Sequence, residues 1–229
     1  MVKKISDIKK DDMLYIWSFR NGFKEYKVNK VVFIGDIVDN HAMSYHESDP
    51  DGFSAGNEIK ESRKRLKRWY KAFPNATVTI GNHDLLPERK LFTLGLPKAI
   101  LKDYNEIWEV PNWNFVPEID IEGVRYIHGI GAAGVSGARN LALKSRQSIV
   151  MGHSHSFGGV QYIAGNKDII FGMNVGCGID IESYAMAYGK SFPLKPTLGC
   201  GVVIDGSRGF FIPMEFPKYS KRKKQDVNI

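Results

Sequence analysis

Val31-Val32-Phe33-Ile34-Gly35-Asp36-Ile37-Val38-Asp39 decides how this chain is read. Its opening run of apolar residues marks a short strand buried on both faces, and the Gly-Asp pair ends it. The acidic Asp36 then stands where strand gives way to loop. The pattern recurs further on. Ala76 to Ile80 runs into Gly81-Asn82-His83-Asp84, Val124-Arg125-Tyr126-Ile127 runs into His128-Gly129, and Ser148-Ile149-Val150-Met151 runs into Gly152-His153-Ser154-His155. Each predicted strand delivers a residue able to ligate a metal: Asp36, Asn82, His128, and the pair His153 and His155. In open α/β sheets ligands bind beyond the carboxyl ends of the strands. This clustering is hard to explain as packing.

Working outward, Lys10 to Lys27 reads as a helix with Met13, Ile16, Trp17 and Phe23 near one face. Asp49-Pro50-Asp51-Gly52 signals a turn in the polar stretch after Asp36. Asn57 to Phe73 reads as a second helix, with Asn57 as N-cap, Pro74 as stop, and an apolar stripe of Ile59, Leu66, Tyr70 and Phe73. Pro87 to Tyr104 is helical in part, interrupted around Gly95 and Pro97. Glu122-Gly123 joins Ile119–Ile121 to Val124–Ile127 as a hairpin. A short helix over Ala138 to Gln147 precedes the Ser148 strand. Ile169-Ile170-Phe171 and Val202-Val203-Ile204 are later strands, and Asp205-Gly206-Ser207-Arg208-Gly209 turns the latter into Phe210-Phe211-Ile212. Strand-helix units early and hairpins late suggest an α/β sandwich with mixed sheets. No repeat or linker divides the chain, so one domain is expected over residues 1–229, with a basic tail at about 217–229.

The chain has 229 residues, 43% of them hydrophobic and 25% charged, the profile of a soluble globular protein. No apolar run approaches the ~20 residues a membrane helix needs, and residues 1–10 lack the apolar core of a signal peptide. No membrane partner and a cytoplasmic location are therefore expected, with Cys177 and Cys200 as reduced thiols. The net charge of +7 resides partly in Lys218-Tyr219-Ser220-Lys221-Arg222-Lys223-Lys224. That tail reads either as a solvated terminus or as a contact for an anionic polymer such as nucleic acid.

Gly-Asp, Gly-Asn-His-Asp, His-Gly and Gly-His-Ser-His, in this order and each after an apolar strand, resemble the calcineurin-like metallophosphoesterases. The likeness covers residues from about 30 to 212. Gly172 to Gly178 most resembles small members encoded by bacteriophages, which suggests the cytoplasm of an infected bacterium. There Asn174-Val175-Gly176-Cys177 stands where the family often has a tight Asn-Pro-Gly-Ser turn. The resemblance implies a metallophosphoesterase-like sandwich of two mixed β-sheets flanked by helices. It implies a phosphoester hydrolase with two divalent cations, ~3.5–4 Å apart in such sites. Asp36 would bridge them, with Asn82, His128 and His153 on the second and His155 on the first. Oxygen and nitrogen donors of this mix suit manganese, iron or zinc. His83 would act as general acid, and Asp84 would hold its other ring nitrogen.

The family normally opens with an Asp-x-His pair binding the first metal. Here Ser6-Asp7-Ile8-Lys9 occupies that place. Either Asp7 is that aspartate, with Lys9 where the histidine should be, or the first strand is missing and residues 3–9 are a basic lead-in. Either way the first metal loses one nitrogen ligand, which leaves open two cations or only one firmly bound. His41 and His46 follow Asp36, as substitute nitrogen ligands or as loop histidines that contact substrate. The Gly-His-x-His ending resembles nucleases and phosphodiesterases of the family more than its protein phosphatases. The basic helix from Lys60 to Lys71 could track a phosphate backbone. The expected function is thus a metal-dependent phosphodiesterase or nuclease. The alternatives are a nucleic-acid-binding or scaffold protein that keeps the fold, and a phosphoprotein phosphatase.

Overall fold

The computed structural model describes residues 28–46, 52–179 and 193–214. The expected first helix, Asp7 and Lys9, most of the Asp49–Gly52 turn and the basic tail lie outside them. Among the described residues the fold is α/β, with one mixed sheet, one parallel sheet and a two-stranded antiparallel pair.

The described residues open with β1 (Val32–Phe33), a 3₁₀ turn at His41–Met43, α1 (Ala55–Ala72) and β2 (Ala76–Thr79). Then come α2 (Leu86–Thr93), a 3₁₀ turn at Lys98–Ile100, α3 (Tyr104–Ile107) and β3 (Trp113–Val116). The three strands pair in parallel in the order β1-β2-β3. β1 is shorter than its sequence suggests, and its two residues are only partly buried. Phe33 nevertheless anchors it, packing on Trp113 at 4.7 Å and edge-on against Trp69 at 5.7 Å between ring centroids. Trp69 belongs to α1, whose Leu66 is buried in the same cluster as Val38, Val78, Trp108, Val110 and Trp113.

α1 starts two residues earlier than expected. Its N-cap is Ser54, not Asn57: the Ser54 hydroxyl accepts the Asn57 N–H at 3.4 Å. Both residue types suit a cap, and Glu58 lies in the first turn, where a carboxylate is favourable. The Glu58 carboxylate then accepts the backbone N–H groups of His41 and Ala42 at 2.7 and 2.9 Å, tying the turn after Asp36 to the helix.

The second sheet comprises β4 (Glu118–Ile121), β5 (Val124–Ile127), β6 (Ser148–Met151), β7 (Gly158–Ala164) and β8 (Ile169–Val175), in the order β4-β5-β6-β8-β7. β4–β5 is the expected hairpin, and β5, β6 and β8 run parallel. Helix α4 (Gly137–Ser145) covers one face, with Ala138 and Ala142 against Ile149 and Met151. On the other, Val124, Val150, Phe171 and Met173 pack with Ile34 and Val203, which brings the two sheets together. β9 (Gly199–Ile204) and β10 (Arg208–Pro213) form the final hairpin. Its turn has Asp205 at φ 51° and Gly206 at φ 61°, the positive pair that a tight hairpin requires.

β1 and β2 lie parallel in one sheet, β5 and β6 in the other. Asp36, Asn82, His128, His153 and His155 each follow the carboxyl end of one of these four strands.

Candidate metal centre

Each ligand-bearing turn is shaped by residues that no bulkier side chain could replace. Gly35 has φ 71°, and a Cβ there would press to 2.6 Å from both His128 Nδ1 and the Thr79 carbonyl. A Cβ on Gly81 would overlap the Asp36 carboxylate. Asp36 and His153 themselves have φ of 49° and 61°, in the left-handed region that non-glycine residues seldom occupy. Asn40 shares that conformation at φ 50° and is fully buried. Such conformations cost of order 1–3 kcal/mol each and concentrate at functional sites.

The turns converge on one ring nitrogen. His128 is buried, and its Nδ1 lies 2.7 Å from the Ile34 carbonyl oxygen. A carbonyl only accepts, so Nδ1 carries the hydrogen and, in the neutral ring, Nε2 presents a bare lone pair. Around Nε2 stand Asp36 Oδ2 at 3.0 Å, Asn82 Oδ1 at 3.2 Å and His153 Nδ1 at 3.1 Å. A hydrogen on Nε2 could serve one of these. A cation at their centre serves them all. The separations are also those of neighbouring donors in a coordination shell, about 3 Å when metal–ligand bonds are about 2.0–2.2 Å. Among the His, Cys, Asp and Glu side chains described, Asp36, His128 and His153 offer ligand atoms that all lie within 4.8 Å of one another. A carboxylate, an amide oxygen and two imidazoles fit manganese, iron or zinc.

The shifts of Asp36, His153 and His155 favour their ligating forms, whereas Asp36 favours a proton on His128 that a cation would displace. Burial raises the Asp36 carboxyl, but the hydrogen bond and charge of His128 outweigh it and hold the group below its usual value. Burial works against a charge on His128, and Asp36 overcomes that and raises it. His153 and His155 are both lowered, chiefly by burial, and so are neutral imidazoles at neutral pH. His155 lines the same cavity as Asp36 and His83 but stands outside the tight group of donors. The described residues thus bring together the donors expected for the second metal. Of the first site they supply Asp36 and His155, while Asp7 lies beyond them.

No family model matches the chain, and no curated protein is significantly similar to it.

His83 is held in a way the sequence reading did not anticipate. Its Nδ1 lies 2.6 Å from the Asp39 carbonyl oxygen and 3.1 Å from Asp39 Oδ1. The Asp39 hydrogen bond, working against burial, raises His83 to about 9. Its backbone N–H donates to Asp36 Oδ1 at 2.8 Å, and its carbonyl accepts from Asn40 Nδ2 at 3.0 Å. Asp84 therefore does not orient His83, contrary to expectation. It is fully buried, and its Oδ2 accepts the backbone N–H groups of Asp36 and Gly81 at 2.7 and 2.8 Å. Neighbouring side chains in a tight turn diverge, so sequence adjacency misled. Burial pushes Asp84 up to about 6. Its work is to pin the Gly-Asp loop to the Gly-Asn-His loop. Asp39 is the partner of His83 that the sequence does not single out, its one signal being the second acid of Gly35-Asp36-Ile37-Val38-Asp39.

His41 lines the cavity from its 3₁₀ turn, whereas His46 is exposed. Neither joins the donor cluster. Downstream, Asn174 is buried, and its Oδ1 accepts the Gly176 N–H at 3.1 Å, with Gly176 at φ 66°. A tight Asx-type turn thus forms without the proline and serine of the resembled motif.

Proposed function

We propose that this chain is a metal-dependent phosphoester hydrolase of the calcineurin-like metallophosphoesterase type, acting on phosphodiesters. The observation that carries this reading is the convergence of Asp36, Asn82 and His153 on His128 Nε2, a knot of donor atoms that one cation could serve together. Asp36, Asn82, His128 and His153 would hold one cation, with Asp36 and His155 contributing to a second. When bound, such cations activate water for attack on phosphorus and neutralise charge on the phosphoryl oxygens.

The chain's own residues account for the rest. His83 keeps its proton through Asp39, and among the described residues its Nε2 has no hydrogen-bond partner. Its ring lines the cavity, so that nitrogen can give a proton to the leaving oxygen. Asp84 and Asn40 fix the backbone on either side of His83 and Asp36. No helix among the described residues is long and apolar enough to cross a membrane.

The test couples metal content with turnover on the same sample. The wild-type chain should retain one to two equivalents of manganese or zinc and hydrolyse bis(4-nitrophenyl) phosphate. Asp36→Asn should release metal and abolish turnover, because an amide bridges cations poorly. Full activity and unchanged metal content in that variant would sink the proposal. A phosphatase would instead act on phosphopeptides and spare diesters.

A further inference from the structure

Against the 3₁₀ turn whose His41 lines the cavity lies a cluster that the metal chemistry leaves unused. Tyr45 follows the 3₁₀ turn at His41–Met43, and its side chain is 51% exposed. Its hydroxyl lies 2.8 Å from Thr93 Oγ1, which in turn donates to the Arg89 carbonyl at 2.9 Å. The ring is thereby fixed against α2. Lys90 Nζ sits 3.9 Å from the ring centroid, and Arg89 Cζ sits 5.0 Å from it. Two cations thus share one ring, and among the described residues neither has an ion-pair partner. Some other cations are paired: Lys98 with Glu88 at 2.9 Å, and on α1 Arg63 with Glu109 at 3.3 Å and Lys64 with Glu61 at 3.5 Å. The α1 face expected to track a phosphate backbone is thus partly spent on ion pairs, while the Tyr45 cluster is not.

This cluster is joined to the centre on both sides. Asn40, shortly before Tyr45, donates to the His83 carbonyl at 3.0 Å, and α2, which carries Arg89 and Lys90, begins just after Asp84. An aromatic ring left half-open beside two cations combines the two elements that single-stranded nucleic acid engages: a stacking surface for a base and positive charge for a phosphate. A bare phosphate would need only the cations. In a duplex the bases stack on one another and leave nothing for the ring.

We propose that Tyr45, Arg89 and Lys90 bind the nucleotide adjoining the scissile phosphodiester of a single-stranded nucleic acid. This rests on the phosphodiesterase reading of the neighbouring centre. The ring and the guanidinium plane take the base, and the ammonium takes its phosphate.

The test measures binding of a fluorescent single-stranded oligonucleotide to the full chain in EDTA, so that nothing is cleaved. Hydrolysis of bis(4-nitrophenyl) phosphate with manganese is followed in parallel. Tyr45→Ala should weaken oligonucleotide binding roughly 5- to 100-fold, the range for losing one stacked base, and Tyr45→Phe should retain it. Arg89→Gln/Lys90→Gln should weaken binding and reduce the slope of log affinity against log salt by about one to two. All three variants should keep wild-type turnover of the small diester, which has no adjoining nucleotide. The proposal is overturned by a wild-type chain that binds no oligonucleotide, by variants that bind it unchanged, or by an equal loss for duplex. A loss confined to phosphopeptides overturns it too. If the variants lose oligonucleotide affinity but the wild type hydrolyses no diester, the nucleotide site stands and the hydrolase reading falls.

Discussion

A histidine that protonates a leaving oxygen must hold its proton at working pH and yet release it. Asp39 supplies the first condition for His83, raising it from the ordinary 6.5 to about 9. In metal-free protein this binds the proton more tightly in the folded state than in the unfolded one. The contribution to stability is therefore complete below about pH 6.5 and fades as pH rises through about 9. Thermal melts in EDTA should show that alkaline decline in the wild type and a much flatter profile in Asp39→Asn. The same substitution should move the alkaline limb of kcat toward lower pH. His83→Ala should cut turnover by roughly 10²- to 10⁴-fold on substrates with poor leaving groups, and much less on nitrophenyl esters, with metal content preserved. An equal loss on both would assign His83 a structural part. For Asp84 the contrast is between two variants. Asp84→Ala leaves the Asp36 and Gly81 N–H groups buried without an acceptor, at about 1–3 kcal/mol each. Asp84→Asn keeps one oxygen. Chemical denaturation should therefore rank wild type and Asp84→Asn well above Asp84→Ala.

At the scale of elements, the turns after β1, β2, β5 and β6 carry the site, and their glycines set how closely they approach. Gly81→Ala drives a methyl into the Asp36 carboxylate. We expect it to lower metal affinity at least tenfold, read by competition with a chelating dye, while the circular dichroism spectrum stays that of the wild type. This scale also divides what could be read from the sequence from what could not. Ser148–Met151 was legible to the residue because four consecutive apolar or small residues are all buried there. β3 was not: Trp113-Asn114-Phe115-Val116 lies between Pro111 and Pro117 and is too short to display a period. β7 opens on Gly158-Gly159 and pairs only with β8 at the sheet's edge, and its exposed Gln161 and Tyr162 between half-buried Val160 and Ile163 break any clean alternation. The donor residues Asp36, Asn82, His128 and His153 were legible because their chemistry is confined to a few residue types. The partnership of His83 with Asp39 was not, because it depends on how the left-handed turn at Asp36 and Asn40 bends the loop back across the ring.

On the scale of the whole molecule, the donors are divided between the sheets: Asp36 and Asn82 follow strands of the parallel sheet, and His128 and His153 follow strands of the mixed one. Under the proposed function, manganese or zinc at a hundred times its dissociation constant should stabilise the fold by about 2.7 kcal/mol. Melting temperature should rise with metal concentration and fall back in EDTA. No such dependence would count against a centre in this position. The division has a further consequence. A cation here would act as a rivet between two slabs that also meet through side chains such as Ile34, packed against Val124 and Val150. Pulling the rivet frees each slab to melt on its own schedule. Calorimetry of the chelated chain should then give a broadened or double endotherm, with a van't Hoff enthalpy below the calorimetric one, and restoring the metal should fuse the transition into a single sharp peak.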